Sequence, residues 1–580
     1  MDIIELKDID FSSLEVLGNN KYDRVLDERN GQNHGRVTYT DGEKCYKIFH
    51  PDYIRRWNFQ EALMKGFFKE LAPALTHLIS DDDGMMIGYV TVKGQVLTTT
   101  TIPQDFVELY KKTAIEKNIV FYDFVPINII KTPDGKISLI DLESCYNVQD
   151  LHIMNEEQGE LKPYKLQTNL IKEIQRVNMK PISFIQPSRN NLKYLQWSYN
   201  SIRKNLGYVH EICWADDFSD DGTWEWMQEI KEKDPNVKIH RNEGPTRLGH
   251  TILYDTLVDM ATNDIVMIYH ADMYACPGLD EEVNKYIKPG RVVSLTRIEP
   301  PLHPPGPEKI LEDFGIEPEE FKEQELMTWL RGKKDDKITN GIFAPWAIYK
   351  DDFLKIGGHD PLFAPQSKED SDIFNRFKLA GYEFIQTWNG FVYHMTCRGS
   401  RFKDGAKRNP DGQVFMKDRE SDEWLIQNMR STRNFIRKWG SMVQHNEYLK
   451  PIIPPKYDIG LVIDNCTYDL LKLFEPYCNT IYLDNDKHFQ KYIDEEQPNS
   501  RYDLGSKLIT KDAMNPINDI VISFDANELN DTNFQQIFLN FPRILEESGE
   551  PNSDFELDIF GIQIKNLDNQ VDILVNSVCK

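Results

Sequence analysis

The stretch Asn263 to Tyr274, reading N-D-I-V-M-I-Y-H-A-D-M-Y, decides the fold of this chain. Its apolar run, 265–269, is bounded by polar residues and is too short for an ordinary helix, so it predicts a buried strand of an α/β sheet. Alternate residues at a strand's end point to the same side, so His270 and Asp272 should converge just outside the sheet. Ligands collect at the carboxyl ends of such strands, where a divalent cation favours oxygen ligands. The alternative is a core strand followed by an ordinary polar loop.

Length and composition predict a globular protein with about three or four domains. The chain has 580 residues, with 40% hydrophobic and 11% aromatic residues. No run approaches the ~18 consecutive apolar residues of a membrane span, and the N-terminus lacks the basic start and apolar core of a secretory signal. The eight cysteines are scattered without a C-x-x-C pair. We therefore expect a reduced, cytoplasmic protein without a structural zinc site.

The charge is strongly acidic and unevenly distributed. A net charge of −25 argues against nucleic acid as a partner. Residues 451–580 contain 23 acidic and 10 basic residues, whereas residues 397–440 contain 11 basic and 6 acidic ones. A local basic island suits a phosphate-bearing small molecule better than a polyanion. A solvated helix face is the other interpretation of this island.

Residues 1–160 are predicted to form a first domain that begins with a β-hairpin. The segments R-V-T-Y-T and K-C-Y-K-I-F flank a turn at Asp41-Gly42. Lys47 lies inside the second segment, and a lysine in an apolar strand usually has a partner. Glu61, in the helical pattern that follows, could supply it. Further on, Asp123 and Asn128 follow one apolar segment, and the strand I-S-L-I ends in Asp141.

This layout resembles the protein-kinase-like fold, including its lipopolysaccharide-kinase relatives. The resemblance implies that Lys47 holds the phosphates of ATP and that Glu61 is its helix partner. Asp123 and Asn128 match the catalytic-loop pattern D-x-x-x-x-N, and Asp141 matches the metal-binding aspartate of D-F-G. The glycine-rich loop and the H-R of H-R-D are absent. An ATP-dependent sugar kinase and a non-catalytic nucleotide- or substrate-binding domain are both open.

Residues 178–440 are predicted to form a second domain in which strands and helices alternate. This alternation favours a mostly parallel sheet with the polar ends of its strands on one edge. Four polar motifs follow successive predicted strands: Pro187-Ser188-Arg189-Asn190, Asp216-Asp217-Phe218-Ser219-Asp220-Asp221-Gly222-Thr223, Asn242-Glu243-Gly244 with Arg247 and His250, and His270-Ala271-Asp272.

In this register the motifs resemble those of GT-A glycosyltransferases of the family 2 type. The resemblance implies that Pro187 and Arg189 contact the nucleotide and that the acidic pair Asp216 and Asp217 meets its base and ribose. Asn242 and Arg247 would lie near the diphosphate. His270 replaces the first aspartate of the D-x-D metal motif, and Asp272 would carry the contact between metal and diphosphate. A histidine there brings a softer ligand to the ion.

The likeness continues downstream with Gly357-Gly358-His359-Asp360 and with Lys368-Glu369-Asp370-Ser371-Asp372. It implies that Asp370 is the general base that takes the proton of an acceptor hydroxyl, with Glu369 orienting the acceptor or the base. His394 ends a strand where relatives present a second metal ligand, although a lone histidine is more often structural. Three cations follow it and could close over the diphosphate: Arg398, Arg401 and Lys403. The insertion 299–337 predicts a mobile surface loop or a small helical lid.

Residues 451–580 are predicted to form a small α/β domain after a proline-rich linker. Asp464 and Asp484 follow predicted strands, but no glycine-rich phosphate loop is present. This domain resembles no family that we can name, so acceptor docking and oligomerisation are its default roles.

Together these features predict an α/β multidomain enzyme. It would transfer a sugar from a UDP- or GDP-linked donor to an acceptor hydroxyl on a glycan with Mn²⁺ or Mg²⁺ as cofactor. The resemblance implies inversion at the sugar. The alternative is a glycan-binding or scaffolding protein that retains both folds without catalysis.

Overall fold

A computed structural model of the chain describes residues 2–16, 36–49, 59–97, 102–121, 124, 126–140, 142, 145–147, 170, 174, 179–333, 335–396, 407–408, 410–412, 414–415 and 420–571. The chain forms two compact units, Met1–Met179 and Lys180–Lys580. Among the described residues, no helix has the length and apolarity needed to cross a membrane.

The first unit contains a six-stranded sheet and a smaller α/β part. Its strands are β1 Asp2–Glu5, β2 Glu15–Val16, β3 Arg36–Thr40, β4 Lys44–Phe49, β5 Leu75–Ser80, β6 Met86–Val92, β7 Gln95–Val96, β8 Ile119–Phe121, β9 Ile129–Lys131, β10 Ile137–Leu139 and β11 Cys145–Asn147. Its described helices are α1 Phe59–Met64, α2 Phe68–Leu71 and α3 Gln104–Lys117. The large sheet has the order β1-β5-β6-β4-β3-β2, in which only the pair β1 and β5 is parallel.

The predicted hairpin is confirmed, because β3 and β4 pair with Thr38 opposite Lys47. The alternation of apolar and polar residues sets this register, since a one-residue shift would turn the apolar set outwards. On its other side β4 pairs with β6, where Lys47 faces Tyr89. The hydroxyl of Tyr89 accepts a hydrogen bond from the Leu142 amide at 3.1 Å, which ties this sheet to the loop after β10.

The second unit is built on a ten-stranded sheet in the order β14-β13-β12-β15-β20-β17-β21-β16, with β18 and β19 added beside β17 and β21. These strands are β12 Ile182–Ser188, β13 Glu211–Asp217, β14 Val237–Asn242, β15 Ile265–Ile268, β16 Met273–Ala275, β17 Arg291–Glu299, β18 Lys309–Leu311, β19 Ile338–Thr339, β20 Trp346–Tyr349 and β21 Glu383–His394. Two short pairs complete the strands of this region: β22 Lys407–Arg408 with β23 Val414–Phe415, and β24 Gln444–His445 with β25 Pro451–Ile452.

Helices connect and cover these strands. They are α4 Leu192–Asn205, α5 Thr223–Lys233, α6 Gly249–Met260, α7 Leu279–Tyr286, α8 Glu323–Leu330, α9 Lys350–Lys355, α10 Glu369–Leu379 and α11 Asp422–Trp439. The core that they enclose includes all of β15 and the large buried side chains of Trp214 and Trp346. A strand that is buried on both faces needs apolar side chains at every position, which explains the I-V-M-I sequence of β15.

The prediction of a mostly parallel sheet holds for the pairs among β12 to β15 and for β17 with β18 and β21, whereas the other described pairs of this sheet are antiparallel. β20 runs antiparallel to both β15 and β17, and β16 runs antiparallel to β21. The segment 299–337, for which the sequence predicts a mobile surface loop or a small helical lid, has regular structure and contains a helix. This segment contributes β18 and α8, and it buries Phe314 and Leu326 in a cluster with Tyr393.

The C-terminal part has its own six-stranded sheet and core cluster. The sheet order is β28-β27-β26-β29-β31-β30, and its first four strands are parallel. The strands are β26 Ile459–Asp464, β27 Thr480–Leu483, β28 Leu508–Thr510, β29 Ile520–Asp525, β30 Ser553–Leu557 and β31 Phe560–Ile564. The helices are α12 Tyr468–Phe474, α13 Phe489–Glu496, α14 Leu504–Lys507, α15 Asp531–Gln536 and α16 Phe541–Ser548. The sequence V-D-I-L-V at 571–575 predicts a further strand, but residues 572–575 lie outside the described residues.

This C-terminal sheet belongs to the same compact unit as the central sheet, and buried ion pairs of α11 link the two. Arg437 donates to Glu475 at 2.7 Å, and both side chains are almost fully buried. Two more ion pairs cross between the two parts: Arg433 contacts Glu496 at 2.6 Å, and Arg501 contacts Asp360 at 2.7 Å. The sequence predicts a separate domain after the linker, and these charges are what join it to the central part.

Candidate active site

The carboxyl ends of β12, β13 and β15 open onto a cavity of about 720 Å³. Parallel strands end on the same edge of a sheet, so the motifs that follow them are brought together. Nine of the residues implicated by the sequence line this cavity: Pro187, Arg189, Asp217, Arg247, His270, Asp272, Glu369, Asp370 and His394. Asp216 and Asn242 are not among the lining residues.

His270, Asp272 and His394 form a cluster that could hold a metal ion. Their ligand atoms all lie within 4.8 Å of one another. Nε2 of His394 is 3.3 Å from Oδ1 of Asp272 and 3.4 Å from Nδ1 of His270. Antiparallel pairing of β16 with β21 places Met273 opposite His394, which explains how residues more than a hundred positions apart meet here.

Glu299 lies behind His394 and was not identified from the sequence. Its carboxylate accepts a hydrogen bond from Nδ1 of His394 at 3.1 Å, and Arg297 and Lys309 also bind it, at 3.0 and 3.1 Å. Burial alone would raise the pKa of Glu299, but these cations hold it well below its usual range. The signal in the sequence was weak, since T-R-I-E-P at a strand end is an ordinary arrangement.

The two histidines of the cluster differ in their electrostatic surroundings. Burial, reinforced by His394, lowers the pKa of His270 to about 3, so this imidazole is neutral. Burial also lowers the pKa of His394, but Asp272 and Glu299 outweigh it and raise that pKa to about 9. His394 thus lies between two carboxylates, Asp272 and Glu299, which favour a positive charge at this position.

Glu369 and Asp370 begin helix α10 and also line this cavity. Glu369 is buried, and its Oε1 atom is 2.7 Å from Nε2 of His250. Burial by itself would raise the pKa of Glu369, but His250 lowers it below the usual range. Asp370 is half-buried, and burial followed by the charge of Glu369 raises its pKa to about 6. One carboxylate is thus held ionised while its neighbour can take up a proton near neutral pH.

The loop before α10 is held in place by a close backbone approach. Gly249 has a φ of +78°, and a Cβ atom there would lie 2.0 Å from the carbonyl oxygen of Pro365. Ser367 and Lys368 have φ values of 82° and 73°, which are costly for residues other than glycine. Such strain at the entry to α10 agrees with a site whose geometry is set by function.

Asp217 organises the start of α6. It accepts hydrogen bonds from the backbone amides of Leu248 at 3.0 Å and Gly249 at 2.8 Å, and from the side chain of Asn242 at 2.7 Å. Nε of Arg247 is 3.6 Å from the same carboxylate. Asn242 thus contacts Asp217 and does not itself line the cavity, and its expected place near the diphosphate stays a prediction.

Asp216 and Arg189 occupy different environments. Asp216 is fully buried, with Nε of Arg241 3.6 Å away, and burial raises its pKa. Arg189 lines the cavity, and its Nε atom has no hydrogen-bond partner among the described residues. A buried donor without a partner costs free energy unless a ligand accepts from it.

Several cavity-lining residues were not identified as site residues from the sequence. They are Tyr194, Arg297, His303, Phe343 and Trp424. The guanidinium of Arg297 lies 3.9 Å from the centre of the Phe343 ring. Trp424 comes from the first turn of α11, and His303 comes from the segment that was predicted to be a mobile loop. Their positions depend on long-range packing, which no local motif reports.

The residues implicated in the first unit are only partly described. Lys47 lies in β4 with its Nζ atom 5.7 Å from the centre of the Phe49 ring. Glu61 lies in α1, and Asn128 accepts a hydrogen bond at its carbonyl from the Ile140 amide at 2.8 Å. Asp123 and Asp141 lie outside the described residues, as do Arg398, Arg401 and Lys403 of the second unit.

Residues 183–344 match the model of the family described as Glycosyl transferase family 2. This match supports a glycosyltransferase domain in the central region, as the order of motifs predicted. His270 and Asp272 lie inside the matched range, whereas Glu369, Asp370 and His394 lie beyond it. No curated protein matches the chain at a significant level.

Two solved structures show limited similarity to the chain. The structure of GalNAc-T7 with UDP, GalNAc and Mn²⁺ is 15% identical with a TM-score of 0.31, over 44% of this chain and 48% of that one. Mannosyltransferase PcManGT from Pyrobaculum calidifontis, in complex with GDP-Man and Mn²⁺, is 16% identical with a TM-score of 0.30, over 45% of this chain and 65% of that one. The chain therefore covers less than two thirds of either relative.

Proposed function

We propose that the second unit is a metal-dependent glycosyltransferase that moves a sugar from a nucleotide-diphosphate donor to an acceptor hydroxyl on a glycan. One observation carries this proposal: a single cavity is lined both by a cluster suited to a cation and by a carboxylate whose pKa is raised to about 6. Perturbed acids in a concave site are characteristic of catalytic centres.

The cluster fits a divalent ion such as Mn²⁺. Ligand atoms at bond lengths of about 2.1 Å and at right angles would be about 3 Å apart, close to the 3.3 and 3.4 Å found around His394. Two imidazoles and one carboxylate favour a transition ion over Mg²⁺, which prefers oxygen ligands. Glu299 provides the partner that a metal-binding histidine usually has on its second nitrogen.

The residues around the cluster have complementary roles. A bound cation would offset the negative charge that develops on the diphosphate as it leaves. Arg189 and Arg247 line the same cavity and can donate hydrogen bonds to phosphate oxygens. Asp217 fixes the start of α6, which positions Arg247 on the same wall.

Asp370 is the general base of the proposed reaction. A base with a pKa near 6 is mostly ionised at neutral pH and can still accept a proton from an attacking hydroxyl. Glu369, held ionised by His250, keeps the pKa of Asp370 raised. The acceptor oxygen would attack the anomeric carbon as its proton moves to Asp370, so the anomeric configuration inverts. Analysis of the product by NMR for its anomeric form tests this assignment.

The rival function is a glycan-binding or scaffolding role without catalysis. Hydrolysis of UDP- and GDP-sugars by the purified protein separates the two, measured across a panel of donors with Mn²⁺, Mg²⁺ and a chelator. Ion-dependent release of UDP or GDP supports the enzyme. If no donor of the panel is hydrolysed while oligosaccharides still bind, the result supports the scaffolding role.

For the first unit we propose a kinase-like domain with ATP-dependent activity on a sugar hydroxyl. The support is the order of its elements: a hairpin bearing Lys47, then a helix bearing Glu61, then two further strands of the same sheet. Asn128 follows in a separate small α/β part. Phosphate transfer to a glycan is the direct test of this proposal.

A further inference from the structure

A second cavity, of about 330 Å³, lies in the same unit as the proposed active site. Three segments form its walls: the turn 361–364, one face of α11, and the turn 498–501 of the C-terminal part. No carboxylate is present among the described residues that line it. In a protein with a net charge of −25, a concavity lined by arginine and neutral polar groups is a distinctive feature.

The α11 wall presents Gln427, Arg430 and Asn434, which are spaced three and four residues apart and therefore share one face of the helix. Arg430 is half-buried, and within the described part of the chain its guanidinium makes no hydrogen bond or ion pair. The next arginines of α11, Arg433 and Arg437, are paired with Glu496 and Glu475. Arg430 is thus a cation directed to a cavity rather than to a partner.

The other walls are held rigidly. Arg501 binds both carboxylate oxygens of Asp360, at 2.8 and 2.7 Å. The side chain of Asn434 donates to the carbonyl of Asn499 at 2.7 Å, and that of Gln427 donates to the carbonyl of Ala364 at 3.3 Å. A preformed site avoids the ordering cost of binding. Arg430 presents a planar fork of donors, which suits carboxylate and phosphate oxygens.

This cavity adjoins the active site through two shared segments. In the loop before the proposed base, Ala364 lines the small cavity whereas Gln366 and Ser367 line the large one. On α11, Trp424 lines the large cavity and Gln427 lines the small one. Three residues of helix span only ~4.5 Å. An acceptor chain that extends from Asp370 past Trp424 would therefore reach the small cavity with its next units.

We propose that this cavity is an acceptor subsite that binds an anionic group, a carboxylate or a phosphate, on the acceptor glycan, with Arg430 as its principal contact. The proposal rests on the proposed glycosyltransferase function and names the class of its acceptor. It also assigns the C-terminal part a role, since the turn 498–501 forms one wall of the subsite.

The test uses immobilised oligosaccharide pairs whose members differ only in one group: a uronic acid against its parent hexose, or a phosphate monoester against the free hydroxyl. Binding of the full-length protein is measured with UDP and Mn²⁺ present. We expect wild type to bind at least one acidic member about tenfold more tightly than its neutral partner, the effect of one charge-assisted hydrogen-bond pair. The uronic and phosphate arms identify which anion is recognised.

The variants Arg430→Gln and Arg430→Lys test the assigned contact. Gln should reduce the ratio between acidic and neutral members to about one, while Lys should retain part of it because it keeps the charge. Arg543→Gln is the matched control, because Arg543 is a highly exposed arginine on another helix of the C-terminal part. Thermal melting of each variant shows that it is folded.

Three results would overturn the proposal. Wild type could bind the acidic and neutral oligosaccharides equally, or it could bind neither of them. Alternatively, the ratio of acidic to neutral binding could be the same in Arg430→Gln as in wild type. Donor hydrolysis distinguishes this failure from that of the proposed function. If the protein hydrolyses a donor but shows no preference for the acidic oligosaccharides, only the subsite proposal fails and the glycosyltransferase proposal stands. A preference for acidic members that depends on Arg430, without hydrolysis of any donor, leaves an anion-binding site on a non-catalytic protein.

Discussion

Oε1 of Glu299 lies 3.1 Å from Nδ1 of His394, while Nε2 of the same imidazole lies 3.3 Å from Oδ1 of Asp272. Glu299 therefore fixes the orientation of the ring so that Nε2 faces the proposed cation site. A carboxylate in this position also makes the imidazole a stronger ligand. The relationship joins a residue at the end of β17 to one at the end of β21, and these strands are parallel neighbours.

Glu299→Gln should weaken Mn²⁺ binding by about 10- to 100-fold, the usual cost of losing such a partner. Free Mn²⁺ measured by electron paramagnetic resonance during titration gives the affinity directly. Glu312→Gln, on the exposed segment just after β18, is the control and should bind the ion like wild type. An unchanged affinity in Glu299→Gln would show that His394 is not a ligand.

Asp272→Asn should lower turnover by about 100-fold or more, because it removes the only carboxylate of the described cluster and with it most of the charge that holds the cation. His394→Ala should weaken the dependence on metal concentration. Turnover is measured as nucleotide release at several Mn²⁺ concentrations, with circular dichroism as the check on folding. If Asp272→Asn transfers sugar at the wild-type rate, the metal-site assignment is wrong.

Asp370→Asn should lower kcat by at least ~100-fold and leave donor affinity nearly unchanged, because a general base acts chiefly in the transition state. Donor affinity is measured by isothermal titration with the intact nucleotide-sugar. An equal loss of nucleotide binding would place Asp370 in the donor pocket instead.

The pH profile gives a separate test of the same residue. The base is active only when ionised, and burial together with Glu369 raises its pKa to about 6. The wild-type kcat/KM should therefore be constant above this pH and fall as the pH drops below it. Glu369→Gln removes a neighbouring negative charge, so it should shift this acid limb to lower pH. If the acid limb of the pH profile stays at the same pH in Glu369→Gln, a group other than Asp370 causes it.

Lys438→Met should destabilise the second unit by about 3–5 kcal/mol, because it leaves two buried carboxylates without their shared cation. These are Asp360 and Asp372, which contact Lys438 at 2.6 and 2.7 Å. Urea unfolding at pH 7 measures the change, with Lys491→Met as an exposed control.

Burial would raise the pKa of Asp360, but Lys438 and Arg501 lower it to about 2. Its stabilising contribution is thus complete above the unfolded pKa of ~3.9 and is lost as the pH falls towards 2.

If the proposed kinase activity of the first unit is correct, radiolabelled phosphate should be transferred from ATP to the glycosylated product. A phosphotransferase of this type needs Lys47 on the phosphates, Asn128 and Asp141 on Mg²⁺, and Asp123 on the accepting hydroxyl. Asp123→Ala and Asp141→Ala should each abolish labelling while sugar transfer continues. Label in all three proteins, or in none of them, would leave this part of the chain as a binding module.

The sequence alone predicted the strands of the sheet edge and nine of the residues that line the cavity. Local apolar runs and polar turns predict the strands and helices. The order of the motifs from Pro187 to Asp272 predicts that the strands before them end on the same edge of the sheet. The match of residues 183–344 to a glycosyl transferase family confirms the central part of that prediction. The hairpin around Lys47 was equally local and equally well predicted.

Only the tertiary structure revealed Glu299 beside His394, His250 beside Glu369, and the cavity lined by Arg430. Each depends on the pairing of distant segments, such as β17 beside β21 or α11 beside the turn 498–501, and no local pattern encodes such pairings. The packing also decided that Asp216 is buried and that the segment 299–337 folds against the sheet. Sequence periodicity determined which residues face the core and which end a strand. Long-range packing determined which of those strand ends meet. The reason is that apolar surface is buried when segments distant in sequence pack together across the whole unit.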